Sequence, residues 1–224
     1  MSDRPAVLLD LDGTLTDSVY QHATAWCKAL ELAGITLSVW RIHRRIGMSG
    51  GLLAESLARE TGRELSEGAA AKLKQDHARL FTAQLSDVRP LPGAKDLMRH
   101  LTKMKVPWAI ATSGALASAG PLLKLIDVPP GVPIITRDDV QHAKPNPDLW
   151  LAAAARLGVA PEAAVAVGDS VWDLLAARRA RALGVGLLSG GYGQEELERA
   201  GAYRVYEDPA DLLLHIDELG IRRD

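Results

Sequence analysis

Two aspartates close an apolar run near the start of the chain. In VLLDLDGTL, residues 7–15, Asp10 and Asp12 stand two residues apart and Gly13 turns the chain. Carboxylates at the end of a buried strand repel each other and need compensation. A divalent cation would supply it, and two solvated acids at a polar strand end are the plain alternative. Three further groups follow later apolar runs: Thr112, Ser113 and Gly114 after WAIA, Lys144 in the loop RDDVQHAKPNP, and Asp169, Ser170 and Asp173 after AVAVG. Oxygen ligands from Asp10 and Asp169 suit Mg²⁺, which keeps several waters and accepts substrate phosphate. A hydroxyl at Thr112 with backbone N–H groups beside it can hold phosphate oxygens, and Lys144 adds a positive point charge. In such a setting the Asp10 carboxylate can attack phosphorus in line and form an aspartyl-phosphate, which water then hydrolyses.

These residues need a scaffold that brings strand ends together. Apolar runs at 6–11, 108–112 and 164–168 read as buried strands, with weaker candidates at 133–136, 185–188 and 203–206. Each of the first three leads into small or polar residues and then a helical pattern, which predicts βαβ units and a parallel sheet. Ligands of an open α/β sheet bind beyond the carboxyl ends of its strands, where the polar residues fall. Asn146-Pro147 and Asp208-Pro209 read as helix starts, a cap residue before Pro at the first helical position.

Residues 18–86 break the alternation. They read as helices only, at 18–34, 51–62 and 66–85, with Leu and Ala at helical spacing and with Gly34 and Gly62 as stops. The expected organisation is an α/β core of residues 1–17 and 87–224 with a helical cap of residues 18–86 inserted. Residues 13–18 and 86–92 form the linkers, the second stiffened by Pro90 and Pro92.

Composition excludes several classes. The 224 residues are 47% hydrophobic and 24% charged, with a formal net charge of −2, so no basic excess points to nucleic acid or an anionic membrane. The single cysteine, Cys27, cannot form an internal disulfide and reads as packing. No apolar run reaches the length of a membrane span, and no leader pattern precedes the first strand, which predicts a cytoplasmic protein.

The motifs, in this order, resemble those of the haloacid dehalogenase (HAD) superfamily, mostly phosphatases and phosphomutases. VLLDLDGTLTDS matches its first motif, IATSG its second, AKPNPD its third and VGDSVWD its fourth. A helical insert just after the first motif is similar to the capped β-phosphoglucomutase and phosphoglycolate phosphatase branch. The resemblance implies a Rossmann-like parallel-sheet core and Asp10 as nucleophile. It makes Asp12 the general acid/base, its backbone carbonyl also a metal ligand, and Thr112 the phosphate binder beside Ser113 and Gly114. Lys144 becomes the lysine of the site, Asp169 a metal ligand, and Asp173 either a ligand or a partner of the lysine. Mg²⁺ is the implied cofactor and a small phosphorylated metabolite the partner, with the chain a monomer or homodimer.

Other candidates lie in the insert. His22 matches a position that mutase relatives use near the substrate, and Asp17 and Ser18 lie in the hinge. His43, Arg44 and Arg45 precede a glycine-rich bend, Gly47-Met48-Ser49-Gly50-Gly51, that would touch substrate, Arg45 meeting an anionic group. Two departures argue against a sugar-phosphate mutase. Gly168 stands where those enzymes carry an acid before the metal aspartate, and Gly50 roughly where their cap loop carries an arginine. A small phosphate monoester, sugar phosphate or phosphoglycolate-like, is the expected substrate; a phosphomutase, or a non-catalytic phosphate and metal binding module, is the alternative.

Overall fold

The computed structural model describes residues 5–222; the first four and last two residues of the expected core, and with them the leader reading at Met1–Arg4, lie outside that range. The six expected strands form one parallel sheet. They are β1 (Ala6–Leu9), β4 (Trp108–Ala111), β5 (Ile134–Ile135), β6 (Ala164–Gly168), β7 (Leu183–Leu187) and β8 (Ala202–Tyr206), in the order β5-β4-β1-β6-β7-β8. The chain winds outward from β1 through β4 to β5, then returns to β6 on the other side of β1. That reversal opens a crevice at the carboxyl ends of β1, β4 and β6.

Alternation along β1 serves two cores. Val7 and Leu9 join a cluster with Leu97, Met98 and Leu101 of α5 (Ala94–Lys103), Leu122 of α6 (Leu116–Leu125) and Leu212 of α10 (Pro209–Leu214). Ala6 and Leu8 face the other way, toward α7 (Asp148–Leu157) and α8 (Val171–Ala180). This second face is rich in alanine, including Ala109, Ala111, Ala164, Ala166, Ala153, Ala154, Ala176 and Ala177, and the fully buried Trp150 fills the space beside them. A separate cluster of Leu174, Tyr192, Leu197 and Ala200 seats α9 (Gln194–Ala200).

Between β1 and α5 the chain is helical: α1 (Val19–Leu32), α2 (Val39–His43), α3 (Gly50–Glu60) and α4 (Glu67–Thr82). Val19, Ala23, Trp26 and Leu30 form one stripe of α1 and pack with Ile42, Leu53, Leu57 and Leu73 in a core of their own. Gly34 and Gly62 follow the ends of α1 and α3 with φ of 70° and 72°, as left-handed stops do. The two linkers pair as an antiparallel ribbon of β2 (Thr16–Asp17) and β3 (Arg89–Pro90), so both crossings of the chain lie side by side.

Two expectations need correction. The sequence reading missed α2, whose five residues are too few to show a period. Asn146 does not cap α7: Pro147 holds the cap position, no side-chain cap bond forms there, and Asn146 faces the crevice. At α10 the expected device is present, the Asp208 carboxylate accepting from the N–H groups of Ala210 and Asp211. Among the described residues no helix is long and apolar enough to cross a membrane.

Candidate active site

Asp10 follows β1 directly, and its backbone N–H donates to Val167 O at 2.9 Å, which locks the residue to the end of β6. Its carboxylate accepts from the Lys144 ammonium. Lys144 is 0% exposed. Its Nζ also donates to Ala111 O at 3.0 Å, pairs with Asp173 Oδ1 at 2.7 Å, and lies 4.4 Å from the ring centre of Trp150. Two of the ammonium's three donors go to Asp10 and Ala111 as hydrogen bonds, while Asp173 is held by charge, its Oδ1 left without a hydrogen-bond partner. Burial alone would lower the pKa of this lysine; the adjacent Asp10 and Asp173 carboxylates more than offset it, and the group stays charged above its ordinary range.

Asp173 sits in the first turn of α8, 1% exposed, and its Oδ2 accepts from the backbone N–H and hydroxyl of Ser170. Ser170 is therefore the cap of α8, which leaves the neighbouring Asp169 free of that duty. Asp169 accepts from Thr14 Oγ1 at 3.1 Å, and a glycine backbone presses on it: a Cβ at Gly190 would lie 1.9 Å from its Oδ2.

Carboxylate oxygens of Asp10, Asp169 and Asp173 come within 4.8 Å of one another. Burial first, and the neighbouring carboxylates after it, push Asp10 up to about 7 despite Lys144, and push Asp169 well above the usual carboxylate range. Buried acids with so little positive charge among them are a donor set that fits a hard dication. Asp10 and Asp169 offer oxygens to such an ion, and Asp173 Oδ1, paired by charge with Lys144 but without a hydrogen-bond partner, offers a third.

Asp12 is placed differently. Its Oδ1 accepts from Ser18 Oγ at 2.6 Å and from His22 Nε2 at 3.0 Å, both at the entry to α1. Burial pushes this carboxyl up, but His22 and the Ser18 hydrogen bond more than offset it and hold it below its ordinary value. The two acids of DLD thus diverge: Asp10 belongs to the lysine and carboxylate cluster, Asp12 to the helical insert.

On the β4 side, Thr112 Oγ1 accepts from the Gly114 N–H at 3.0 Å, which leaves the hydroxyl proton to donate outward. The Gly114 N–H is thereby committed inside the loop, contrary to the expectation that it would face phosphate. Ser113 Oγ is buried and has no hydrogen-bond partner, a cost of about 1–3 kcal/mol that a bound oxyanion would relieve.

Asp10, Asp12, Thr112, Ser113, Gly114 and His22 line one cavity of about 680 Å³ between the sheet ends and the helical insert; Lys144, Asp169 and Asp173 are buried behind Asp10 and do not line it. The glycine-rich bend from Gly47 to Gly51 lines it as expected. Arg45 does not. Its guanidinium is held by Glu60, by Ser56 Oγ at 2.8 Å and by Arg41 O at 2.8 Å within the insert. Asp17 is exposed on β2, and Cys27 packs against the helical core, its thiol pushed up by burial and by Glu31.

The sequence reading missed His77 and Lys74 on α4, which line the cavity opposite the sheet. Leu73, His77 and Phe81 recur at four-residue spacing, so His77 occupies a position of the apolar stripe; that was the available signal. It also missed how the insert is seated. Arg44 O accepts from Tyr192 OH at 2.7 Å and Trp172 Nε1 at 3.2 Å, His43 Nε2 donates to Gly190 O at 2.8 Å, Ser49 N–H donates to Lys144 O at 3.3 Å, and the Arg44 guanidinium pairs with Glu196.

The chain is similar to known hydrolases. The model of the haloacid dehalogenase-like hydrolases matches residues 5–181. Hexitol phosphatase A of Escherichia coli (strain K12) is 34% identical over 171 residues, 73% of each chain. A phosphoglycolate phosphatase of Shigella boydii is 29% identical over 94% of this chain and 92% of its own. Among solved structures, a hydrolase from Pseudomonas syringae superposes with a TM-score of 0.94 at 51% identity, over 96% of this chain and 99% of that one.

Proposed function

From the premise that this chain belongs to the haloacid dehalogenase-like hydrolases and is a phosphoric monoester hydrolase, we propose that it is a Mg²⁺-dependent phosphatase of small phosphate monoesters, of the sugar or polyol phosphate or phosphoglycolate kind. The observation that carries this reading is the convergence on one cavity of Asp10, the Thr112 and Ser113 hydroxyls, and Asp12 with its own donors. The proposed catalytic residues are Asp10, Asp12 and Lys144. Phosphate oxygens fall to Thr112 and Ser113. Asp10 and Asp169, with the Asp12 backbone carbonyl, hold the metal, while Asp173 serves Lys144. His22 serves Asp12 and contributes to the substrate wall.

A Mg²⁺ ion held there would draw negative charge from the phosphate and keep Asp10 ionised at neutral pH. Asp10 then attacks phosphorus in line; the bond to the leaving oxygen breaks, and Asp12, ionised in the free site, relays to that oxygen the proton carried by the ester's monoanion. In the second half Asp12, again a carboxylate, takes a proton from water. The hydroxide attacks phosphorus and frees Asp10, and Asp12 passes its proton to the departing phosphate and returns to the ionised form. Lys144, anchored by Asp173 and Ala111, aims the Asp10 carboxylate and offsets its charge. The helical insert acts as a cap (residues 18–86) on the core, closing the cavity against bulk water. A cavity of about 680 Å³ suits a metabolite, not a polymer.

Gly168 favours hydrolysis over a mutase mechanism. A Cβ there would lie 2.3 Å from the Cβ of Asp173, so the acid that mutase relatives carry has no room. The test is phosphate release from a panel of polyol phosphates, sugar phosphates and phosphoglycolate with Mg²⁺. Release is expected to fall at least about 10⁴-fold in Asp10→Asn and to stop with chelator; release that survives both sinks the mechanism. Isomerisation of a sugar phosphate on adding its bisphosphate would establish the mutase instead.

A further inference from the structure

Behind His22 stands a second histidine. His22 Nε2 faces Asp12 Oδ1 at 3.0 Å, and His22 Nδ1 faces His77 Nε2 at 3.1 Å. Both rings are held in plane by aromatic neighbours. His22 stacks on Phe81, ring centres 3.8 Å apart and planes within 7°; His77 stacks on Trp26 at 4.2 Å and 14°. Phe81 and Trp26 are buried, so neither imidazole turns without disturbing the core of the insert.

We propose that His77 is a positioning residue of the acid/base apparatus: its Nε2–H donates to His22 Nδ1 and so fixes His22 as the tautomer whose Nε2–H donates to Asp12. The inference rests on the reading of Asp12 as acid/base. An ionised carboxylate only accepts, so the nitrogen facing it carries hydrogen. In a neutral His22 ring the other nitrogen is then a bare lone pair, which needs a donor, and His77 is the group within reach. Burial holds His77 well below the usual histidine range, so at neutral pH it has a single N–H to give. Were His22 in the opposite tautomer, its Nε2 lone pair would face the lone pairs of Asp12, and the clash would be relieved only by a proton on that carboxyl. His77 thereby holds His22 as a donor to Asp12.

The hydrogen bond is read in the wild-type protein by ¹⁵N–¹H correlation of labelled histidine rings at neutral pH. His22 is expected with Nε2 protonated and Nδ1 bare; a protonated Nδ1 overturns the proposal. Kinetics supply the second readout. His77→Phe keeps a flat ring on Trp26 and removes the donor, and kcat is expected to fall about 10-fold with a smaller change in KM. His77→Gln restores a donor and is expected to recover most of that loss. A His77→Phe enzyme with wild-type kcat, or a His77→Gln enzyme as slow as His77→Phe, overturns it too. Should the wild type release no phosphate from any monoester, the proposed function fails, while the His22 spectrum still decides the hydrogen bond.

Discussion

The floor and the roof of the cavity are built on opposite plans. On the floor, at the strand ends, charged groups are buried against one another: Lys144 donates to Asp10 and Ala111 O and pairs by charge with Asp173, which accepts from Ser170. On the roof, Lys74 and Glu55 are exposed and line the cavity, and among the described residues neither is joined to an ion-pair partner. Apolar Trp26, Met48 and Leu52 fill the spaces between. A floor with fixed partners suits one unchanging reaction at phosphorus. A roof of unpaired and apolar groups suits the part of the substrate that differs from one metabolite to the next.

The contrast can be broken most forcefully at Lys144. Lys144→Met removes the shared partner of Asp10 and Asp173 and is expected to cost about 3–5 kcal/mol of stability, measured by urea denaturation. A loss under 1 kcal/mol would mean that the floor is not held by charge pairing. Next is the cation. Saturating Mg²⁺, at about a hundred times its Kd, should add about 2.7 kcal/mol, read as a rise in Tm. The folded pKa of Asp10, about 7 against an ordinary 3.8, gives the sign. In the cation-free protein Asp10 binds its proton more tightly when folded, so stability falls as pH climbs between those values. Binding the cation requires the ionised form, so the Mg²⁺-induced rise in Tm should be larger at pH 8 than at pH 6. Third, Gly168→Ala should cost about 1–3 kcal/mol, because its methyl cannot coexist with Asp173 as placed. The smallest expected effect is on the roof. Lys74→Ala should leave stability within about 0.5 kcal/mol yet raise KM for an anionic leaving group such as glycolate over that for a neutral polyol. Equal KM changes for both would remove Lys74 from specificity.

The floor was legible in the sequence because its residues interrupt strong local patterns. Asp10, Thr112 and Asp169 each follow an apolar strand run, and parallel topology gathers such ends at one edge. The strands show for the same reason. The roof was legible in outline only. Periodicity marks α1, α3 and α4, but a five-residue helix such as α2 carries no period. Arg45 read as a substrate contact because a basic turn beside glycines looks alike whether it faces a ligand or Glu60; its partner comes from α3, and spacing along the chain does not specify that. His77 stayed hidden because its role depends on which face of α4 meets α1. Asn146 failed as a cap for a related reason: Pro147 occupied the cap position itself, and the asparagine was left to the cavity wall.

The ribbon of β2 and β3 carries one more implication. It is where the chain crosses into and out of the helical unit, and Ser18 and His22, the two donors to Asp12, come immediately after it. A swing of the helices about that ribbon would carry His22 off Asp12 while Asp10, Lys144 and Asp169 stayed together on the sheet. Attack and proton transfer would then keep different schedules: the nucleophile ready at all times, the acid/base only while the molecule is shut. Such an interlock would let a phosphate ester enter and a free alcohol leave without exposing a fully assembled proton donor to solvent.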